Sequence, residues 1–169
     1  SQVLTAHGYS AIGFDHFADP CDALAIAAGN GTLRRNFQGY TTDPADALLG
    51  FGASAIGKTP SGFVQNASDV AGYSRAIAAG QLPVVKGIEL NDDDRLRAQI
   101  IERLLCDFEV DLARLTSTRT FSGERVALAP FVDAGLVRID GERITILEPG
   151  RSFARLVAAA FDAYLPASM

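Results

Sequence analysis

An α/β segment followed by a mostly helical, winged-helix-like segment is the fold class that this 169-residue sequence predicts. Three observations predict it. Twelve of the sixteen glycines fall in residues 1–90 and four beyond them. In the first stretch, short apolar runs bounded by glycine alternate with stripes at helical spacing. After residue 90 the signals come in the order helix, helix, hairpin, helix. The shift in composition places a boundary near Leu90, giving segments 1–90 and 91–169.

The first segment opens with apolar Val3-Leu4 and then Gly8, a residue suited to the position just past a helix. A chain that opens inside a helix is expected to continue a longer protein. Tyr9 to Phe14 predicts a buried strand. Asp19, Pro20 and Asp22 can start a helix through Leu24 and Ile26, which Gly29-Asn30-Gly31 ends. Residues 47–57 carry no charge and are rich in glycine, which predicts a buried strand with close backbone approach. A second strand is expected over residues 62–66. Ser68-Asp69 then caps a helix carrying Val70, Tyr73 and Ile77, ended by Gly80 and Pro83.

In the second segment, Asn91-Asp92-Asp93-Asp94 supplies an N-cap and negative charge where a helix dipole is positive. The stripe that follows is Leu96, Ile100, Ile101, Leu104, Leu105 and Phe108. Ser122 is expected to cap a helix bearing Val126, Leu128, Phe131 and Val132, which Gly135 ends. Asp140-Gly141 between two alternating runs predicts a tight hairpin. A last helix from Gly150 carries Phe153, Leu156, Val157, Ala160 and Phe161.

Charge and cysteine content exclude several function classes. The longest run without Asp, Glu, Lys or Arg is 14 residues, Ser1 to Phe14, too short for about 30 Å of hydrocarbon. With no basic, apolar and small-residue signal pattern either, the expected location is the cytoplasm. Fifteen basic residues against twenty acidic ones give a net charge of −5. Neither segment hides a basic patch, and the candidate recognition helix Glu124 to Ala134 sets Arg125 against Glu124 and Asp133, so no nucleic-acid partner is expected. Cys21 and Cys106 fit a reducing compartment and form no metal-ligand cluster. No metal site is assigned to the chain itself.

Gly52 to Thr59 matches the phosphate-binding loop pattern, Gly-x-x-x-x-Gly-Lys-Thr. The pattern needs a helix whose N-terminus faces the phosphate. Pro60-Ser61-Gly62 and then Phe63-Val64 follow instead, so nucleotide hydrolysis is not the expected function.

Three segments carry a resemblance: Ile-Gly-Phe-Asp-His-Phe-Ala from Ile12, Arg-Asn-Phe-Gln-Gly-Tyr-Thr-Thr from Arg35, and Leu-Leu-Gly-Phe-Gly-Ala-Ser-Ala-Ile from Leu48. Together they resemble oxygen-independent coproporphyrinogen III oxidase, a radical S-adenosylmethionine enzyme of haem biosynthesis. The resemblance runs from about Gly8 to Tyr164 and is most specific between Ile12 and Gly57. Asn36 to Thr42 also separates this family from a related haem chaperone. The family implies an incomplete (β/α) barrel holding a 4Fe-4S cluster and S-adenosylmethionine, followed by a mostly helical C-terminal domain. Residues 1–90 look like the last barrel elements and residues 91–169 like that domain.

The family's cluster is held by a Cys-x₃-Cys-x₂-Cys loop, which this chain lacks. The resemblance therefore implies the C-terminal portion of a longer enzyme, inactive alone. The whole enzyme, expected to be a monomer, decarboxylates two propionates of coproporphyrinogen III to vinyl groups, giving protoporphyrinogen IX. The fragment is expected to expose apolar surface and an open sheet edge, and so to self-associate. An alternative is a haem- or porphyrin-binding module without catalysis.

Family contacts to S-adenosylmethionine fall on Phe37, Gln38 and Ile56. Phe37 and Ile56 could pack on adenine, and the Gln38 amide could donate and accept hydrogen bonds. Such contacts are expected at or near the C-terminal ends of barrel strands. Apolar packing for Phe37 and Ile56, and a loop-backbone bond for Gln38, are the plain alternatives. Asp15 and His16 could orient each other for proton transfer or cap a strand end. Arg34 and Arg35, an adjacent basic pair, could bind substrate carboxylates or lie on the surface. His7 before Gly8 reads as a helix-end dipole partner, and Asp92-Asp93-Asp94 as a cap rather than a metal site.

Overall fold

The computed structural model describes residues 2–165. These group into two compact units, one of residues 2–42 together with 94–165 and the other of residues 43–93. The units do not follow the compositional break near Leu90, because glycine content reports local turn chemistry whereas packing joins segments distant in sequence. The last residues of segment 91–169 lie outside the described residues.

The first unit starts with helix α1 (Gln2–Ala6), closed by Gly8 at φ +86°. The His7 Nδ1 lies 2.7 Å from the Val3 carbonyl, the helix-end contact expected for it. Strands β1 (Ser10–Ile12) and β2 (His16–Ala18) form an antiparallel hairpin. The buried strand expected over Tyr9 to Phe14 is thus shorter, and only Ile12 in β1 is buried, because Gly13 at φ +56° turns the chain back. Helix α2 (Ala23–Gly29) has Asp22 as its N-cap, its side chain accepting from the Leu24 N–H. Strands β3 (Arg34–Asn36) and β4 (Gly39–Thr41) form a second hairpin.

Helix α4 (Asp92–Cys106) supplies the long apolar stripe of this unit. Its Ile100 and Leu104 are fully buried with Leu112, Leu128, Ile144 and Val157. Phe121 and Phe161 meet edge to face at 5.6 Å in the same core. Such packing of complementary apolar faces is the main stabilising term of the unit. Arg97 on α4 pairs with Glu124 at 2.8 Å and donates to the Phe161 carbonyl at 3.0 Å. Two of its partners therefore lie on different elements.

Beyond α4 come β8 (Glu109–Asp111), α5 (Leu112–Leu115), α6 (Ser122–Asp133), β9 (Val137–Asp140), β10 (Arg143–Ile146) and α7 (Ala154–Ala159). Three differences from the sequence reading have local causes. Ser122 lies inside α6, and Phe121, with no side-chain cap bond, takes the N-cap position because its ring is needed in the core. Asp140 pairs with Arg143, so the turn residues are Gly141-Glu142, with Gly141 at φ +57° as a glycine-first hairpin requires. The last helix begins as a 3₁₀ turn over Glu148–Phe153, and Phe153 and Leu156 are exposed while Val157 and Phe161 are buried. Strand β8 joins β10 in the sheet order β8-β10-β9, which the alternation rule missed because three residues carry too little pattern.

The second unit contains β5 (Ile56–Thr59), β6 (Gly62–Asn66), α3 (Val70–Ala78) and β7 (Val84–Glu89), with sheet order β5-β6-β7. Asp69 caps α3 and Gly80 at φ +69° follows it, as read. Residues 47–57 are not one buried strand: Leu49 and Phe51 are 73% and 87% exposed, and Leu48 makes only an isolated bridge to Lys58. No large aliphatic or aromatic side chain of this unit is fully buried.

Every strand pair among the described residues is antiparallel. The barrel strands implied by the resemblance are not seen as a parallel ladder. Four of the pairs are hairpins with short connections, whereas β6 and β7 pair antiparallel across α3 and β8 pairs with β10 across α5, α6 and β9.

Candidate functional site

The two hairpins of the first unit carry most of the residues singled out from sequence. Ile12 pairs with His16, so Gly13-Phe14-Asp15 form the turn of the first hairpin. Asn36 pairs with Gly39, so Phe37 and Gln38 are the tip of the second. The Asn36 side chain accepts from the Gln38 N–H at 2.8 Å and the Gly39 N–H at 3.2 Å, which fixes the tip as an Asx turn. Gly39 stands at φ +141°, a conformation that disfavours side chains. Phe37 is 53% exposed and Gln38 is exposed. Both lie in the turn that directly follows the C-terminal end of β3, a two-residue loop closed by its own ladder.

Tyr40 joins the hairpins. Its hydroxyl accepts from the Phe14 N–H at 3.2 Å and donates to the Leu105 carbonyl on α4 at 3.0 Å. Its ring meets His16 edge-on at 5.2 Å and Phe14 at 6.0 Å. Burial raises the phenol pKa, with the Phe14 N–H bond and Arg35 acting the other way. The phenol therefore stays protonated and keeps its donor.

Asp15 and His16 are brought together, with Oδ1 2.7 Å from Nδ1 and both side chains close to half exposed. That bond engages Nδ1 and leaves Nε2, the ring atom nearest Gly39, for another partner. Arg34 and Arg35 separate in role. Arg34 pairs at 3.8 Å with Glu102 on α4, whose carboxylate also accepts the Arg35 N–H at 3.1 Å. The Arg35 guanidinium instead lies over Tyr40 at 4.9 Å and Phe14 at 5.1 Å.

In the second unit, Ile56 is the first residue of β5 and half-buried. The turns before it are pinned by Asn66, buried on β6, whose amide donates to the Gly50 and Gly52 carbonyls at 3.0 Å each. Tyr73 on α3 accepts the Gly52 N–H at 3.1 Å. A Cβ on Gly50 would lie 2.9 Å from the Ile56 carbonyl oxygen, so the close approach needs glycine. Lys58 and Thr59 lie in β5, paired with β6, and no helix N-terminus follows them. The phosphate-loop pattern is therefore a strand and turn.

The cysteines do not fit an iron–sulfur cluster. Cys21 is exposed, whereas Cys106 is buried and its thiol is pushed up to about 12 by that burial, far from the thiolate a cluster needs. Among the described residues no group of three His, Cys, Asp or Glu side chains could hold a metal ion. Asp94 is buried and accepts from the Tyr164 hydroxyl at 3.1 Å. Sequence reasoning missed the roles of Tyr40, Asn66 and Tyr73. Tyr40 and Asn66 adjoin recognised motif or strand residues, but only three-dimensional contacts reveal what they hold.

No protein-family model matches the chain. An oxygen-independent coproporphyrinogen III oxidase of Bradyrhizobium diazoefficiens is 48% identical over 170 residues, covering 98% of this chain and 38% of that protein. One from Pseudomonas aeruginosa is 40% identical over 172 residues, covering 98% and 37%. The solved coproporphyrinogen III oxidase of Escherichia coli, described as a radical SAM enzyme, superimposes with a TM-score of 0.90 at 36% identity, over 97% of this chain and 39% of that one. The chain thus spans about 38% of the length of the relatives it matches. It is a homologue of one part of the oxygen-independent coproporphyrinogen III oxidases.

Proposed function

We propose that the chain is the C-terminal portion of an oxygen-independent coproporphyrinogen III oxidase acting in porphyrin biosynthesis in the cytoplasm. The observation that carries this reading is the exposed Phe37-Gln38 tip, held rigid by Asn36, inside a chain 48% identical to such an oxidase. No helix of the described residues is long and apolar enough to cross a membrane. Residues 1–90 would complete a partial barrel and residues 91–169 would form a winged-helix-like domain beside it, with no nucleic-acid partner. The cluster would be held by the remainder of the enzyme, which we take to be monomeric.

When bound, the cluster and S-adenosylmethionine supply the one-electron chemistry that removes hydrogen from a propionate of coproporphyrinogen III. This chain's residues bind and orient. Phe37 and Ile56 would offer apolar surface to the adenine, and the Gln38 amide would donate and accept at its edge. Asp15 holds the His16 ring through Nδ1, so that Nε2 can carry or release a proton. Arg34 and Arg35 are the candidates for substrate carboxylates. In the whole enzyme, reconstituted without oxygen, Phe37→Ala, Gln38→Ala and Ile56→Ala should each raise KM for S-adenosylmethionine about tenfold, as loss of a positioned contact does. Unchanged KM in all three would overturn the assignment.

A further inference from the structure

We propose that Arg35 and Arg155, set around the ring of Phe14, form a binding site for a carboxylate carried by the ligand. The proposal rests on the porphyrinogen reading only for which molecule brings that carboxylate. The guanidinium carbons of Arg35 and Arg155 lie 5.1 Å and 5.3 Å from the Phe14 centroid. Three elements supply the parts: β3 gives Arg35, the first hairpin turn gives Phe14 and the start of α7 gives Arg155.

Two guanidiniums beside one ring concentrate positive charge there, which an anion would offset. Other arginines of this unit have carboxylate partners, as Arg103 has Asp107 at 2.7 Å and Arg125 has Glu142 at 2.8 Å. Among the described residues no carboxylate pairs with the guanidinium of Arg35 or of Arg155. Glu102 approaches Arg35 only at its backbone N–H, and its oxygens are shared with Arg34 and Arg103. Arg35 Nη1 is buried with no acceptor. A ring face attracts a guanidinium but accepts little from its N–H groups, whose fork matches the two oxygens of a carboxylate. A planar anion is the ligand that this fork geometry would take. Arg34, already paired with Glu102, is not part of it.

The test is a fluorescence titration of the 169-residue chain with coproporphyrin III, repeated with its tetraamide, which lacks carboxylates. Coproporphyrin III should bind about tenfold more weakly to Arg155→Gln and to Arg35→Gln, with Arg114→Gln as an unaffected control and tetraamide binding unchanged by all three. If Arg35→Gln fails to fold through loss of its ring contacts, exposed Arg155 still decides the matter. Glutarate, followed by NMR at Phe14 and Arg155, separates the two readings. Glutarate bound there without porphyrin binding keeps the carboxylate site and overturns the porphyrinogen reading. Porphyrin bound equally by wild type and Arg155→Gln, with no glutarate shift, keeps that reading and overturns the site. Inorganic phosphate bound as tightly as glutarate overturns the choice of a carboxylate.

Discussion

The phenol of Tyr40 fills the space into which a side chain on Gly13 would project. Gly13 also sits at φ +56°, so two independent constraints exclude other residues there. The turn that aims Asp15 and His16 and the strand that follows the Phe37-Gln38 tip are therefore fixed against one another.

Gly13→Ala should displace Tyr40 and break both of its hydroxyl bonds. The expected loss is about 2–4 kcal/mol, combining left-handed strain with an unsatisfied Phe14 N–H. Tyr40→Phe removes the hydroxyl alone and should cost about 1–3 kcal/mol. Urea denaturation of both variants checks the order, and Tyr40→Phe as costly as Gly13→Ala would contradict it.

Asn66→Ala removes the donor of the Gly50 and Gly52 carbonyls. A loss of about 1–3 kcal/mol is expected, with amide exchange quickening over residues 50–56. Tyr73→Phe should release only the Gly52 N–H and have the smaller effect. Exchange that spreads evenly through the unit would count against a local clamp.

Cys106 makes stability fall in alkali. Its folded pKa, about 12, lies above the ordinary thiol value of 9.0, so the unfolded state loses the proton first. The contribution is whole below pH 9.0 and is lost as pH rises toward about 12. Over that window wild type should lose up to about 1.4 kcal/mol per pH unit more than Cys106→Ala. Parallel stability curves for the two proteins would refute the assignment. A thiol reagent at neutral pH should label Cys21 at once and Cys106 only on unfolding.

The second unit leaves Leu49, Phe51, Val70, Leu82 and Val85 more than half exposed, and among the described residues β7 pairs on one side only. Unpaired strand edges and apolar surface favour association. Light scattering on the isolated chain should show mass rising with concentration, and Val85→Lys on β7 should reduce it. A monomer throughout would exclude this behaviour.

Helices were the most legible part of the sequence, since α2, α3 and α4 carry both a periodic stripe and an acidic or glycine boundary. Sheet topology was not. Runs of three residues such as β1, β3 and β8 look the same whether they pair in a hairpin or beside a distant parallel strand. Uncharged residues 47–57 read as buried because hydropathy cannot tell a core strand from an exposed glycine-rich turn held by the Asn66 amide and the Tyr73 hydroxyl. Within the site, the motif located Phe37 and Gln38 and the Asp15-His16 pair, but Arg34 and Arg35 were indistinguishable until Glu102, 67 residues after Arg35, claimed one of them. Arg155 had no local signal at all.

Synthesis of this chain must proceed in an awkward order. Residues 2–42 emerge before α4, yet Leu33, Arg35 and Tyr40 find partners on Arg103, Glu102 and Leu105 of that helix. Between them the ribosome must make roughly fifty residues of the other unit, a delay of about 3–10 s at the usual rate of elongation. For that interval the paired hairpins lack the helix that supports them, so their native contacts close only once α4 has been made.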